Sequence, residues 1–179
     1  GTNKIEGSIY YFLRNEKLAG KNPAQRKDTA QRFPAFKNRT YGFRVGGPII
    51  KNKLFYFLSA EQQRDETPQP FDFATYRGNS NTVAGVEAIK TFVKSTYNYE
   101  MGEWLNTSRK LDVDRLAAKI DWNINSKHRL TLSGRYNKAV SNSTGLSSAT
   151  TINFSNGGVK FPSRTTAFAF ELKSTLRKN

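Results

Sequence analysis

The sequence predicts an all-β chain: about six antiparallel strands of the kind that form the wall of a membrane-spanning barrel. Three observations predict it. Several stretches alternate apolar and charged side chains with a period of two, as strands do when one face meets lipid and the other water. Short turns and long loops take turns along the chain, the asymmetry expected of a barrel whose turns lie on one side of a membrane and whose loops lie on the other. Aromatic residues reach 13% in a chain that is only 36% apolar, a composition that a disordered segment would not show.

The alternation organises the stretch Thr40–Glu61. Tyr41, Phe43 and Val45 point one way, and Gly42, Arg44 and Gly46 the other. Gly46-Gly47-Pro48 is read as ending this arm, and Asn52 between two lysines suits a turn before a second arm. The first strand is expected over 5–14, with Ile9, Tyr11 and Leu13 on one face. The two arms of the hairpin span 40–47 and 54–62. Residues 114–124 and 129–137 form a second hairpin around the turn Asn125-Ser126-Lys127-His128, and residues 164–176 form the last strand. Loops fill 15–39, 63–112 and 138–163, with strand extensions near Ile152–Phe154. Inside the second loop, Val86, Ile89 and Val93 fall at helical spacing, which predicts one short amphipathic helix over Val83–Thr96 with Asn81 or Thr82 as its cap.

Composition narrows the function classes. Lys and Arg number 29 against 14 Asp and Glu, a net charge of +15. Such an excess suits a solvated surface, an anionic membrane face or nucleic acid. Much of it falls in the first loop, where eight Lys/Arg stand against Glu16 and Asp28 between Arg14 and Arg39 and where anionic lipopolysaccharide or anionic cargo is the expected partner. No cysteine is present, which excludes disulfides and thiolate metal sites. No run approaches the ~18 to 20 apolar residues of a spanning helix. The chain begins Gly1-Thr2-Asn3 without a start methionine, so it is expected to be an internal segment of a longer protein. On its own it would present two open sheet edges and an apolar face, and it is expected to aggregate in water.

Four motifs, in order, resemble the TonB-dependent receptors, in particular their Oar-like branch. Gly1-Thr2-Asn3 with Ile5–Asn15 is similar to the plug-to-barrel junction and first barrel strand, and Phe43–Phe57 to the recurring GGPI–K–K–aromatic hairpin. Tyr97-Asn98-Tyr99-Glu100-Met101-Gly102 resembles the end of an external loop, and Asp114–Tyr136 the next hairpin, whose second arm opens K-H-R-L-T-L. The resemblance implies a large plugged barrel in the bacterial outer membrane that imports a scarce ligand (a peptide, glycan or metal chelate). It further implies contact with its own plug, energy from a TonB complex and, in some relatives, a surface lipoprotein lid. Barrels of this class have ~22 strands, so this chain would supply a little over a quarter of the wall. An adhesive or protein-exporting barrel would carry the same strands. A soluble basic β-domain binding nucleic acid would need a basic stripe on one open sheet face.

Catalytic chemistry finds no foothold. His128, the only histidine, sits in a predicted turn. Glu61, Asp65 and Glu66 lie with Arg64 where a strand runs into a loop and read as a solvated rim. Gly46-Gly47-Pro48 lacks the Lys-Ser/Thr of a phosphate loop. No catalytic residue, metal ligand or cofactor is expected. The binding candidates follow from the alternation. Arg44, Lys119, Asp121, Arg129, Arg135, Glu171 and Lys173 are expected to face the lumen, where they meet water, plug or cargo, or pair with one another. Tyr97, Tyr99 and Trp104 are candidates for an external ligand-facing surface, with loop packing as the alternative. Tyr11, Tyr41, Phe43, Phe55, Phe57, Trp122, Phe168 and Phe170 are expected against lipid or in its aromatic girdles, the outward parity of residues 54–60 being ambiguous because both faces are apolar.

Overall fold

The computed structural model describes residues 2–20, 35–78 and 82–175. Six strands form one antiparallel sheet in sequence order: β1 (Glu6–Asn15), β2 (Lys37–Ile50), β3 (Leu54–Gln69), β4 (Thr107–Asn123), β5 (His128–Ser143) and β6 (Val159–Ser174). Every neighbour pair is a hairpin, so every ladder closes locally. β1 and β6 are the edges, and the sheet is open among the described residues. One helix, α1 (Val83–Tyr97), interrupts the β3–β4 connection. Asn81 and most of the basic stretch of the first loop lie outside the described residues; Thr82 is the cap, its hydroxyl accepting from the Gly85 amide at 3.1 Å.

Pairing partners point to the same side of a sheet, so the register assigns each side chain to a face. Phe43 pairs with Ile9 and Ala60, Ala60 with Leu116, and Leu116 with Tyr136. Leu58, Ala118, Gly134 and Phe168 form the next row, and Tyr56, Ile120, Leu132 and Phe170 the one after. One face is therefore apolar across the whole sheet and stays uncovered, with Ile9 at 89% and Phe168 at 85% of full exposure. An apolar surface of this extent needs lipid or protein over it. The opposite face carries Arg44, Glu61, Arg115, Lys119, Asp121 and Arg135.

The strands outrun their apolar belt at the loop end. β3 continues to Gln69 and β4 starts at Thr107, where both faces are polar. Cross-strand charge pairs hold this extension. Arg64 sits opposite Asp112 and contacts it at 3.6 Å while reaching Asp114 at 2.5 Å, and Lys110 meets Glu66 at 3.6 Å. β5 runs to Ser143 and β6 begins at Val159, so the third loop is shorter than expected and Ile152–Phe154 adds no strand.

Two turn-end details differ from the sequence reading. β2 does not stop at Gly46-Gly47-Pro48 but runs to Ile50. The register shifts between Pro48 and Ile50, and this bulge absorbs the proline that cannot donate to a ladder. The turn is therefore only Lys51–Lys53, closed by Lys53 N–H to the Ile50 carbonyl at 3.0 Å. Asn52 occupies the left-handed region at φ 61°, its amide donates to Asn3 Oδ1 at 2.8 Å, and its carbonyl accepts from Asn123 Nδ2 at 3.0 Å. Asn52→Val should cost about 1–2 kcal/mol through that backbone conformation, and Asn52→Gly much less. Equilibrium unfolding of the full-length protein measures both, and equal costs would contradict a backbone origin. The second turn is held by Asn125, whose Oδ1 accepts from the amides of Lys127 (2.9 Å) and His128 (3.0 Å).

Candidate functional site

The polar face is a site because the register gathers charges that sequence separation keeps apart. Arg44, Lys119, Asp121, Arg129, Arg135, Glu171 and Lys173 all stand on it. Asp121 is its hub. Only 9% exposed, it accepts from Thr131 Oγ1 at 2.8 Å and forms ion pairs with Lys119 and Arg129 at 3.1 Å each. A buried carboxylate needs such partners to stay charged. Glu171 pairs with Lys173 at 3.2 Å, and Arg44 Nε donates to Ser8 Oγ at 2.9 Å. Arg135 has no hydrogen bond or ion pair among the described residues.

Phe55 and Phe57 belong to this face too, which corrects their expected place against lipid. Phe57 pairs with Gly46 and Lys119, and Phe55 with Pro48 and Asp121, one residue out of step with Phe43. The Phe57 ring lies over Gly46, where an added Cβ would come within 3.3 Å of it, and Phe55 is only 7% exposed. With Arg44, Lys119 and Asp121 these rings line a cavity of ≈ 560 Å³ near the turn end. Tyr11, Tyr41, Phe43, Trp122, Phe168 and Phe170 stand on the apolar face.

A second concavity of ≈ 510 Å³ lies farther toward the loops, lined by Tyr10, Glu61, Arg115, Arg135 and Asn137. Sequence reading missed most of it. Tyr10 packs so closely on Gly42 that an added Cβ there would stand 2.6 Å from its hydroxyl, and that hydroxyl donates to Glu61 at 2.7 Å. Arg115 pairs with the other Glu61 oxygen at 2.5 Å. Glu61, Asp65 and Glu66 do not form one cluster, because Glu61 and Asp65 face one side and Glu66 the other. The signal was cross-strand pairing, Glu61 with Gly42 and Arg115, which periodicity within one strand does not carry. Among the described residues no group of three or more His, Asp or Glu side chains could hold a metal. His128 opens β5, with its Nδ1 2.9 Å from Ser174 Oγ.

The two described loops join into one cap. Amides of Ser155 and Asn156 donate to the Glu103 and Met101 carbonyls at 2.7 and 3.1 Å, and Arg77 N–H reaches Ala149 O at 2.5 Å. Trp104 is the core of this cap rather than part of its ligand-facing surface, and is 1% exposed. Its ring meets Phe73 edge-on at 5.4 Å and Phe71 at 6.4 Å, and its Nε1 donates to Glu87 at 2.7 Å. Burial of an indole with its N–H satisfied is strongly favourable, which is why the loop packs inward here. Tyr97 and Tyr99 remain exposed, Tyr97 edge-on to Phe92. Glu103 hydrogen-bonds Lys90 at 3.0 Å and holds its ammonium above the ordinary lysine value.

Residues 1–84 match the model of a family described as an outer membrane beta barrel domain. No curated protein and no solved structure matches the chain. The matched residues contain β1, β2 and β3, and β4–β6 continue the same sheet with the same two faces. The chain is wall from a β-barrel protein of the bacterial outer membrane.

Proposed function

We propose that this wall belongs to a plugged barrel that imports a scarce ligand across the outer membrane with energy from a TonB complex. It performs no catalysis and binds no nucleic acid. The polar face carries the reading. Arg135, with no hydrogen bond or ion pair among the described residues, and Arg44, with only a serine, stand on a face where Glu61, Asp121 and Glu171 are each already engaged by a cation. Inside a barrel that face is the lumen, and free guanidinium groups there suit an anionic cargo or a plug that passes them. The match of residues 1–84 supports the barrel. The motifs of the first, second and fourth strands support the receptor branch, and a lipoprotein lid over the cap would fit the same branch.

Alanine substitution of both Arg44 and Arg135 in the full-length protein is the test. Uptake of cargo should fall at least several-fold while insertion, read by heat-modifiable mobility, stays normal. Unchanged uptake with normal insertion would remove the cargo role of these residues. Uptake that persists after the inner-membrane proton gradient is collapsed would remove the TonB energy source, and no uptake by the inserted wild type would favour an adhesive or exporting barrel instead.

A further inference from the structure

The outward face changes character abruptly on the β5–β6 hairpin. Going toward the loops, β5 presents Leu132, Gly134, Tyr136 and then Lys138, while β6 presents Phe170, Phe168, Thr166 and then Arg164. Lys138 and Arg164 are direct cross-strand partners, so two cations stand side by side with Cβ atoms roughly 5 Å apart. Like charges in that position destabilise a sheet. Both are exposed, and neither makes a hydrogen bond or ion pair among the described residues. Asp114, the residue opposite Lys138 on the other side, is already engaged by Arg64 and Gln62. Farther out, exposed Lys160 on β6 adds a third outward cation to the β5–β6 hairpin. The acids of this outward collar are confined to β3 and β4, where they have partners.

Directly beneath the pair lies an apolar groove of ≈ 380 Å³ between Phe43, Leu58, Leu116, Tyr136, Thr166 and Phe168. It exists because Ala60, Ala118 and Gly134 are small where their neighbours are large, and the Phe168 ring leans across Gly134. A cation pair above an apolar furrow, at the level where Tyr136 marks the end of the belt, has the shape of a phosphorylated lipid: phosphate on the cations, acyl chain in the furrow.

We infer that Lys138 and Arg164, with the groove below them, form a binding site for the phosphate and an acyl chain of an outer-leaflet lipid of the lipid A type. The phosphate would relieve the repulsion between the two cations, with Thr166 and Tyr136 hydroxyls one row below it. The inference rests on the membrane orientation proposed above, with the loops outside.

The test uses full-length protein in phosphatidylcholine nanodiscs, with diphosphoryl lipid A, its dephosphorylated form and inorganic phosphate as probes, and native mass spectrometry as readout. Wild type should retain diphosphoryl lipid A in preference to the dephosphorylated form. K138Q/R164Q should lose about 30-fold in apparent affinity, the loss of two cations near an anionic surface, and K138R/R164K should keep it. K127Q, a cation at the turn end, should change nothing, and millimolar inorganic phosphate should not displace the lipid. Equal retention by inserted K138Q/R164Q would overturn the inference, as would displacement by inorganic phosphate, which would mark a free-anion site. Failure of wild type to insert would overturn the barrel reading itself, and this site with it.

Discussion

Phe43→Arg should destabilise the folded barrel by about 2–4 kcal/mol, the cost of a guanidinium on a lipid-facing strand near the midplane. Phe43 sits mid-belt, flanked by Ile9 and Ala60 and half exposed on a face with no charged residue in its own row or the two rows nearer the turn. Phe57→Gln, on the same hairpin but the other face, should cost clearly less, because its amide meets water and the cations Arg44 and Lys119. Denaturant unfolding of the full-length protein in lipid vesicles measures both. A larger loss at Phe57 than at Phe43 would reverse the assignment of the two faces.

Trp104→Ala should unravel the loop cap while leaving the barrel inserted. Removing a large, fully buried aromatic side chain costs about 3–5 kcal/mol, and here the loss falls on the cap, because the rings and the carboxylate that Trp104 meets, Phe71, Phe73 and Glu87, lie in the loop and in α1. Opening of the cap is then at least a hundredfold more frequent. Hydrogen exchange should accelerate by that factor across α1 and, through the Met101–Asn156 and Glu103–Ser155 bonds, in the loop 144–158. Trp104→Phe, which keeps one ring but loses the bond to Glu87 and part of the indole volume, should cost clearly less than Trp104→Ala. Wild-type exchange in α1 of Trp104→Ala would show that the cap does not depend on this core.

The belt portions of the strands were legible because lipid imposes a period of two. Leu116, Ala118, Ile120 and Trp122 alternate with charges for a single reason, and the register respects it. The extensions were not legible. From Gln63 to Gln69 and from Thr107 to Asp112 both faces meet water, so no hydrophobic period survives, and the pairs that hold them, such as Arg64 with Asp112, join residues far apart in sequence. Phe55 and Phe57 were misplaced because residues 54–60 are apolar on both faces. Only their pairing with Pro48 and Gly46 decides the parity. Pro48 looked like a stop because a bulge at Ile49 cannot be read from one strand alone. Trp104 looked like a surface aromatic because its packing partners, Phe71 and Phe73, precede it by a whole helix and a loop. The charged set on the polar face needed only alternation within strands, and it falls on one side of the sheet.

The charge-laced strand extensions set a distance. Between Gln62 and Gln69 β3 climbs roughly 23 Å along its own axis at ~3.3 Å per residue, or roughly 17 Å along the membrane normal for a strand tilted by ~40°. The wall thus stands as a parapet above the lipid headgroups, and the cap with Tyr97 and Tyr99 rides on its rim. A molecule arriving from outside meets that rim before it meets the bilayer. In the receptor proposed above, the loops rather than the belt would then be the first part of the barrel that cargo meets, held off from the bilayer by the height of these extensions.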